Sequence, residues 1–198
     1  MASVLTYPLA KVILDERFTR PLWMITLAVL GTLAITISAK INIPFYPVPM
    51  TMQAFVILVI GTAYGVRLGG ATVVLYLAQG AMGLPVFAGT PEKGIGLAYM
   101  IGPTGGYLLG FLLAAIAVGW LAERGWSQSW ALMFTAMVLG TVIIYIPGIA
   151  YLASLIGLEK AINFGFLPFV IGDLFKIGLA ATVMPLAWVL VGRNKKKN

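Results

Sequence analysis

Residues 129–156 read SWALMFTAMVLGTVIIYIPGIAYLASLI, without one charged side chain. An α-helix rises about 1.5 Å per residue, so about 20 apolar residues cross a hydrocarbon core of about 30 Å. This stretch is longer than needed and carries Pro147, which predicts a tilted or kinked membrane helix. The rest of the chain agrees. Of 198 residues, 61% are hydrophobic and 10% charged, whereas a soluble domain carries roughly 25% charged residues. Such a chain cannot cover a water-facing surface, and its natural solvent is lipid.

Working outward, further apolar spans are predicted near 21–39, 51–65, 67–81, 103–122 and 166–191. They are separated by a Pro-rich stretch (Pro44, Pro47, Pro49), by Gly65-Val66-Arg67, by the Gly-rich residues 83–102, by Glu123-Arg124-Gly125 and by Gly157-Leu158-Glu159-Lys160. The expected fold is all-α, a polytopic bundle of six transmembrane helices. The second and third spans are short, and a single re-entrant hairpin is the alternative. Residues 1–20 read as an amphipathic lead-in without a signal-peptide core, 21–192 as the membrane domain, and 193–198 as a basic tail.

With six spans both termini share a side. That side collects Lys11, Arg17, Arg20, Arg67, Arg124, Arg193, Lys195, Lys196 and Lys197, against Lys40, Lys93 and Lys160 on the other. The positive-inside rule then places both termini in the cytoplasm of a multi-pass protein of the cytoplasmic membrane. Trp23, Trp120, Trp126, Trp130 and Trp188 lie near the helix ends of that same side and read as an interfacial belt. The tail reads as an anchor on anionic lipid.

The outer segments are long, Lys40 to Gln53 and Gly80 to Gly106, whereas the inner turns are minimal. Proline makes the first stiff. Glycine would let the second approach a ligand closely or move as a lid, although turn chemistry explains the same residues. The last span opens Pro168-Phe169-Val170-Ile171-Gly172-Asp173-Leu174-Phe175-Lys176. Asp173 and Lys176 are three apart and share a helix face, roughly 8–12 Å below the outer end of the span. Charges at that depth cost several kcal/mol unless paired or wetted, and mark a functional site by default. An ion pair that only orders helices is the plainer reading. Position beneath both long loops favours a polar-floored pocket opening outward.

The chain has no Cys and no His, which removes disulfides, thiol chemistry and most zinc sites. Gly89-Thr90-Pro91-Glu92-Lys93-Gly94 lacks the spacing of a phosphate-binding loop. No nucleophile stands beside a base, so an enzyme is not expected, nor a cofactor or metal.

Four segments carry a resemblance: Val48 to Gln53, Tyr76 to Gly89, Gly102 to Leu108, and Gly172 to Lys176. In this order they resemble the BioY family, the biotin-specific S components of energy-coupling-factor transporters, over about residues 20 to 190. The resemblance implies a six-helix bundle of the S-component type and one biotin bound under the outer loops. It implies as partners a transmembrane coupling subunit and two ABC-type ATPases. S components are thought to meet the coupling subunit through small residues of the first helix. Ala28 with Thr32 and Ala34 with Ser38 supply such pairs here, which equally serve packing inside the bundle. A stand-alone biotin transporter using Asp173 as a proton site, and an S component for another vitamin, are the alternatives.

For biotin the expected pose is head first. Asp173 accepts a ureido N–H and Lys176 donates to the ureido oxygen, so each buried polar group finds a partner. Gln53 and Gln79 are the amide candidates. Tyr46, Phe87, Tyr99, Tyr107 and Tyr151 are candidates to wall the thiophane ring. The carboxylate would lie at the mouth on Lys93, with Lys160 or the backbone N–H groups of Gly102–Gly106 as substitutes. The opposite pose puts the carboxylate on Lys176.

Overall fold

The computed structural model describes residues 8–14, 20–43 and 46–195, with side chains as far as Val191. Arg17, Pro44, Lys196 and Lys197, which figure in the expectations above, lie outside the described residues, as do the side chains of Arg193 and Lys195. Among the described residues eight α-helices follow one another: α1 (Leu9–Leu14), α2 (Pro21–Lys40), α3 (Gln53–Ala81), α4 (Gly96–Met100), α5 (Gly105–Ala122), α6 (Trp130–Ile156), α7 (Leu158–Gly165) and α8 (Val170–Lys195). Two short strands, β1 (Asn42–Ile43) and β2 (Met50–Thr51), pair antiparallel between α2 and α3.

Five helical segments are long and apolar enough to cross a membrane. One of them, α3, is folded back on itself. Gly65 inside it has φ 79° and ψ −178°, a left-handed conformation that glycine alone adopts without steric cost. As a consequence Gly61 and Gly69 lie backbone to backbone, a Cβ on Gly69 falling 3.0 Å from the Gly61 Cα. Gln53 and Tyr76, 23 residues apart, are joined by a hydrogen bond. The hairpin therefore supplies two arms, 53–64 and 66–81, and the bundle has six. Its tip is level with the end of α5, where Glu123 Oε1 accepts the Val66 N–H at 2.9 Å. The tip thus reaches the face opposite the long loops, which settles the short spans as two arms and not a shallow re-entrant turn.

The first arm is short because the β1–β2 loop dips into the bundle before Gln53. The predicted bounds shift by one to four residues elsewhere. The last span starts at Val170 and not 166, because α7 and a 3-10 turn, Leu167–Phe169, precede it. Asp173 accordingly sits in the first turn of α8, nearer the helix start than the sequence estimate, where the helix dipole favours a carboxylate. Helix α6 runs unbroken through Pro147.

Small residues let these arms approach. A Cβ on Gly61 would fall 2.6 Å from the carbonyl oxygen of Ala115, and one on Gly110 would fall 2.6 Å from that of Ile144. Close backbone approach through small residues is how helices associate where lipid removes the hydrophobic drive. Thr32 and Ser38 of α2 are buried. Their pair partners differ, Ala28 being half-buried and Ala34 exposed, so the Ala34–Ser38 pair is not wholly packed within this chain. Leu22, Ile25, Leu30, Leu33 and Ile37 form the outer side of α2 and make a lipid-facing surface. Pro21, the α3 tip, the end of α5 and the end of α8 share one face, where Trp188 Nε1 donates to Ser127 Oγ at 3.0 Å. The β1–β2 loop, residues 82–104 and α7 lie on the other, called here the loop face.

Candidate functional site

Beneath the loop face the arms part around a cavity of about 630 Å³, counted with the open space at its mouth. Val48, Pro49 and Thr51 come from the β1–β2 loop, Phe87 and Ala88 from the second loop, and Tyr99 from α4. Thr104, Tyr107, Leu108 and Phe111 come from α5 or the residue before it, Thr141, Ile144 and Tyr145 from α6, and Asp173 and Lys176 from α8. The lining is mostly apolar, with polarity concentrated at the floor.

At the floor Lys176 Nζ donates to Asp173 Oδ1 at 2.9 Å, the pairing that i, i+3 spacing on one helix permits. Asp173 is 8% exposed. Its second oxygen accepts the hydroxyl of Tyr145, which reaches it from α6. Each carboxylate oxygen has room for another donor, and the ammonium has two N–H groups left. The floor can therefore offer an acceptor and a donor side by side, as a urea-like N–H and C=O pair requires. Nothing in the sequence set Tyr145 apart from the other aromatics of its span; only the crossing of α6 over α8 brings it to Asp173. The ring of Tyr145 is held edge-on between Tyr107 (6.1 Å) and Phe166 (5.0 Å).

Gln53, 4% exposed, lines the cavity from the start of α3. Its Nε2 donates to Tyr76 Oη at 2.7 Å, and Tyr76 donates to Val86 O at 3.1 Å. Phe87, 1% exposed, stacks on Tyr99 at 4.9 Å and meets Tyr76 edge-on at 5.4 Å. Burial pushes the Tyr99 hydroxyl above its ordinary pKa, with Thr104 pulling weakly the other way. Tyr107 lines the cavity with its ring, and its hydroxyl donates to Gly165 O at 2.8 Å, fixing the end of α7.

Of the residues expected at the site, Asp173, Lys176, Gln53, Phe87, Tyr99 and Tyr107 come together around this cavity. Gln79, Tyr151, Lys93 and Tyr46 are not in its lining. Gln79 is one turn from the end of α3, its carbonyl accepting the Leu84 N–H. Tyr151 donates to Ile101 O at 2.7 Å, bracing the second loop from outside the cavity. Lys93 is exposed, its stem lying over Gly89, next to the lining residue Ala88. Tyr46 is 87% exposed, because the strand pair turns it away from the bundle. Lys160 is exposed on α7.

Fold and site together define an all-helical membrane protein with a polar-floored pocket open at one face. The profile of the BioY family matches residues 11–193. The chain is 43% identical over 77% of its length to the biotin transporter BioY of Thermotoga maritima, covering 88% of that protein. It is 34% identical over 86% of its length to the probable biotin transporter BioY of Pyrococcus horikoshii, covering 97% of it. The crystal structure of the S-component for biotin from an ECF-type ABC transporter superimposes with a TM-score of 0.71 at 27% identity, over 89% of this chain and 93% of that one. The chain belongs to the BioY family.

Proposed function

We propose that this protein binds biotin in the cavity beneath its loop face and serves biotin uptake across the cytoplasmic membrane as a substrate-capture subunit. The observation that carries the reading is the Asp173–Lys176 pair at the floor of an otherwise apolar pocket, in a chain whose relatives are named biotin transporters. The bicyclic head enters first. Asp173 accepts a ureido N–H beside the Tyr145 hydroxyl, and Lys176 gives a free N–H to the ureido oxygen. Phe87, Tyr99 and Tyr107 flank the thiophane ring, and Gln53 offers an amide to the polar edge. The carboxylate then points to the mouth, where Lys93 stands at the rim.

A transmembrane coupling subunit and two ATPases complete the transporter in this reading, with both termini of this chain in the cytoplasm. Residues 21–192 form the biotin-binding domain, residues 1–20 a lead-in and 193–198 a basic tail.

Calorimetric titration of the detergent-purified protein with biotin, thiamine and riboflavin tests the ligand. Saturable heat with biotin alone is the expected result. Binding of either other vitamin in preference to biotin overturns the reading.

A further inference from the structure

Three consecutive carbonyls of the second loop are each held by a side chain from a different helix. Val86 O accepts from Tyr76 of α3, Phe87 O from Lys40 Nζ at the end of α2, and Ala88 O from Tyr99 of α4 at 2.9 Å. Lys40 goes further. Its Nζ lies 3.1 Å from Phe87 O, 2.8 Å from Thr90 O and 3.1 Å from Thr90 Oγ1. An ammonium has three donors, and all three are directed at residues 87 and 90. Thr90, itself buried, returns a hydrogen bond from its hydroxyl to Phe87 O at 2.7 Å.

A lysine at a helix end near the membrane surface ordinarily extends to water or lipid headgroups. This one turns onto uncharged oxygens of a loop, and among the described residues the ion pair is between Lys176 and Asp173, not at Lys40. Giving up that freedom needs a return, and three charge-assisted hydrogen bonds supply it. The residues so held are not remote from the site: Phe87 and Ala88 are cavity wall. The β1–β2 loop differs. Among the described residues, the hydrogen bonds that the β1–β2 loop makes stay within itself, the end of α2 and the start of α3.

We propose that Lys40 is a positioning residue for the pocket. Its ammonium fixes residues 87–90 as a rigid wall tied to the end of α2, so Phe87 and Ala88 stand ready before the ligand arrives. The effect on affinity is one of preorganisation and rests on the reading that this pocket takes biotin. The Gly-rich second loop is then a fixed wall in this region and not a lid.

Two measurements on full-length protein in detergent test it. Without ligand, hydrogen–deuterium exchange of residues 87–94 speeds up in Lys40→Met, while α5 and α6 keep their protection. With biotin, Lys40→Met speeds dissociation by roughly 10- to 100-fold, since affinity differences among variants of one site fall mainly on the off-rate. Lys40→Arg restores part of both effects, its planar fork reaching fewer of three acceptors clustered about a point. Thr90→Val, which removes one acceptor of Lys40 together with the Thr90 hydroxyl bond to Phe87 O, shifts both readouts the same way by less, and Thr90→Ser, which keeps both bonds, leaves them unchanged; this pair decides the matter should Lys40→Met not fold. Unchanged exchange at 87–94 overturns the proposal, as does loss of protection throughout the bundle in both Lys40→Met and Thr90→Val. Failure of the wild type to bind biotin would count against the functional reading alone, because the ligand-free exchange stands apart from it.

Discussion

Replacing Asp173 with Asn keeps the shape of the side chain and removes its charge. The neutral oxygen still accepts the Tyr145 hydroxyl, but Lys176, 2.9 Å away, loses its counter-ion. In the proposed pose the ureido N–H bond drops from charge-assisted to neutral, a loss of about 1–1.5 kcal/mol, and any buried donor left facing the new amide N–H₂ costs about 1–3 kcal/mol more. Together these give about 2–4.5 kcal/mol, or roughly 30- to 2,000-fold in Kd at 25 °C. The assay is calorimetric titration of wild type and Asp173→Asn with biotin and with biotin methyl ester. If the head occupies the floor, both ligands lose affinity by the same factor, because both keep the ureido ring. A loss confined to biotin, with the ester unaffected, would refute the head-first pose, since only the carboxylate distinguishes the two.

Three further outcomes are expected. Tyr145→Phe removes one of the two groups that orient Asp173 and should weaken biotin by about 0.5–1.5 kcal/mol, roughly 2- to 13-fold, with little further loss when combined with Asp173→Asn, as a double-mutant cycle by titration would record. Lys93→Ala removes an exposed rim charge and should weaken biotin by about 0.2–1 kcal/mol, roughly 1.4- to 5-fold, while leaving the methyl ester unchanged. Gly65→Ala should destabilise the protein by about 1–3 kcal/mol, lowering its detergent melting temperature, because the position has φ 79° and a Cβ there falls 2.5 Å from Glu123 Oε1.

The fold was legible because lipid imposes one simple rule, and 28 uncharged residues at 129–156 obey it without ambiguity. The hairpin at Gly65 was legible only as a break, since its sharpness resides in a backbone angle and not in hydropathy. Asp173 and Lys176 stood out because charge is rare in a span. Their third member, Tyr145, did not, because an aromatic two residues before a proline looks like packing until α6 is seen crossing α8. Lys93 and Lys40 show the converse. Both are loop-side cations in sequence and both are exposed, yet the Lys40 ammonium closes on Phe87 and Thr90 while the Lys93 stem lies over Gly89. That difference depends on where residues 47 positions away come to lie, which no local pattern encodes. Tyr151 likewise shares the outer half of its span with the cavity, but its side of α6 faces Ile101.

Below the ion pair the bundle has almost no give. The space under Asp173 and Lys176 narrows to a small void against Leu58, Met137 and Ala180, and beyond it Gly61 lies directly on the main chain of α5. The protein is thus a cup and not a conduit. Among the described residues, a molecule resting on the floor has packed side chains and main chain beneath it, so this conformation is closed toward the opposite face.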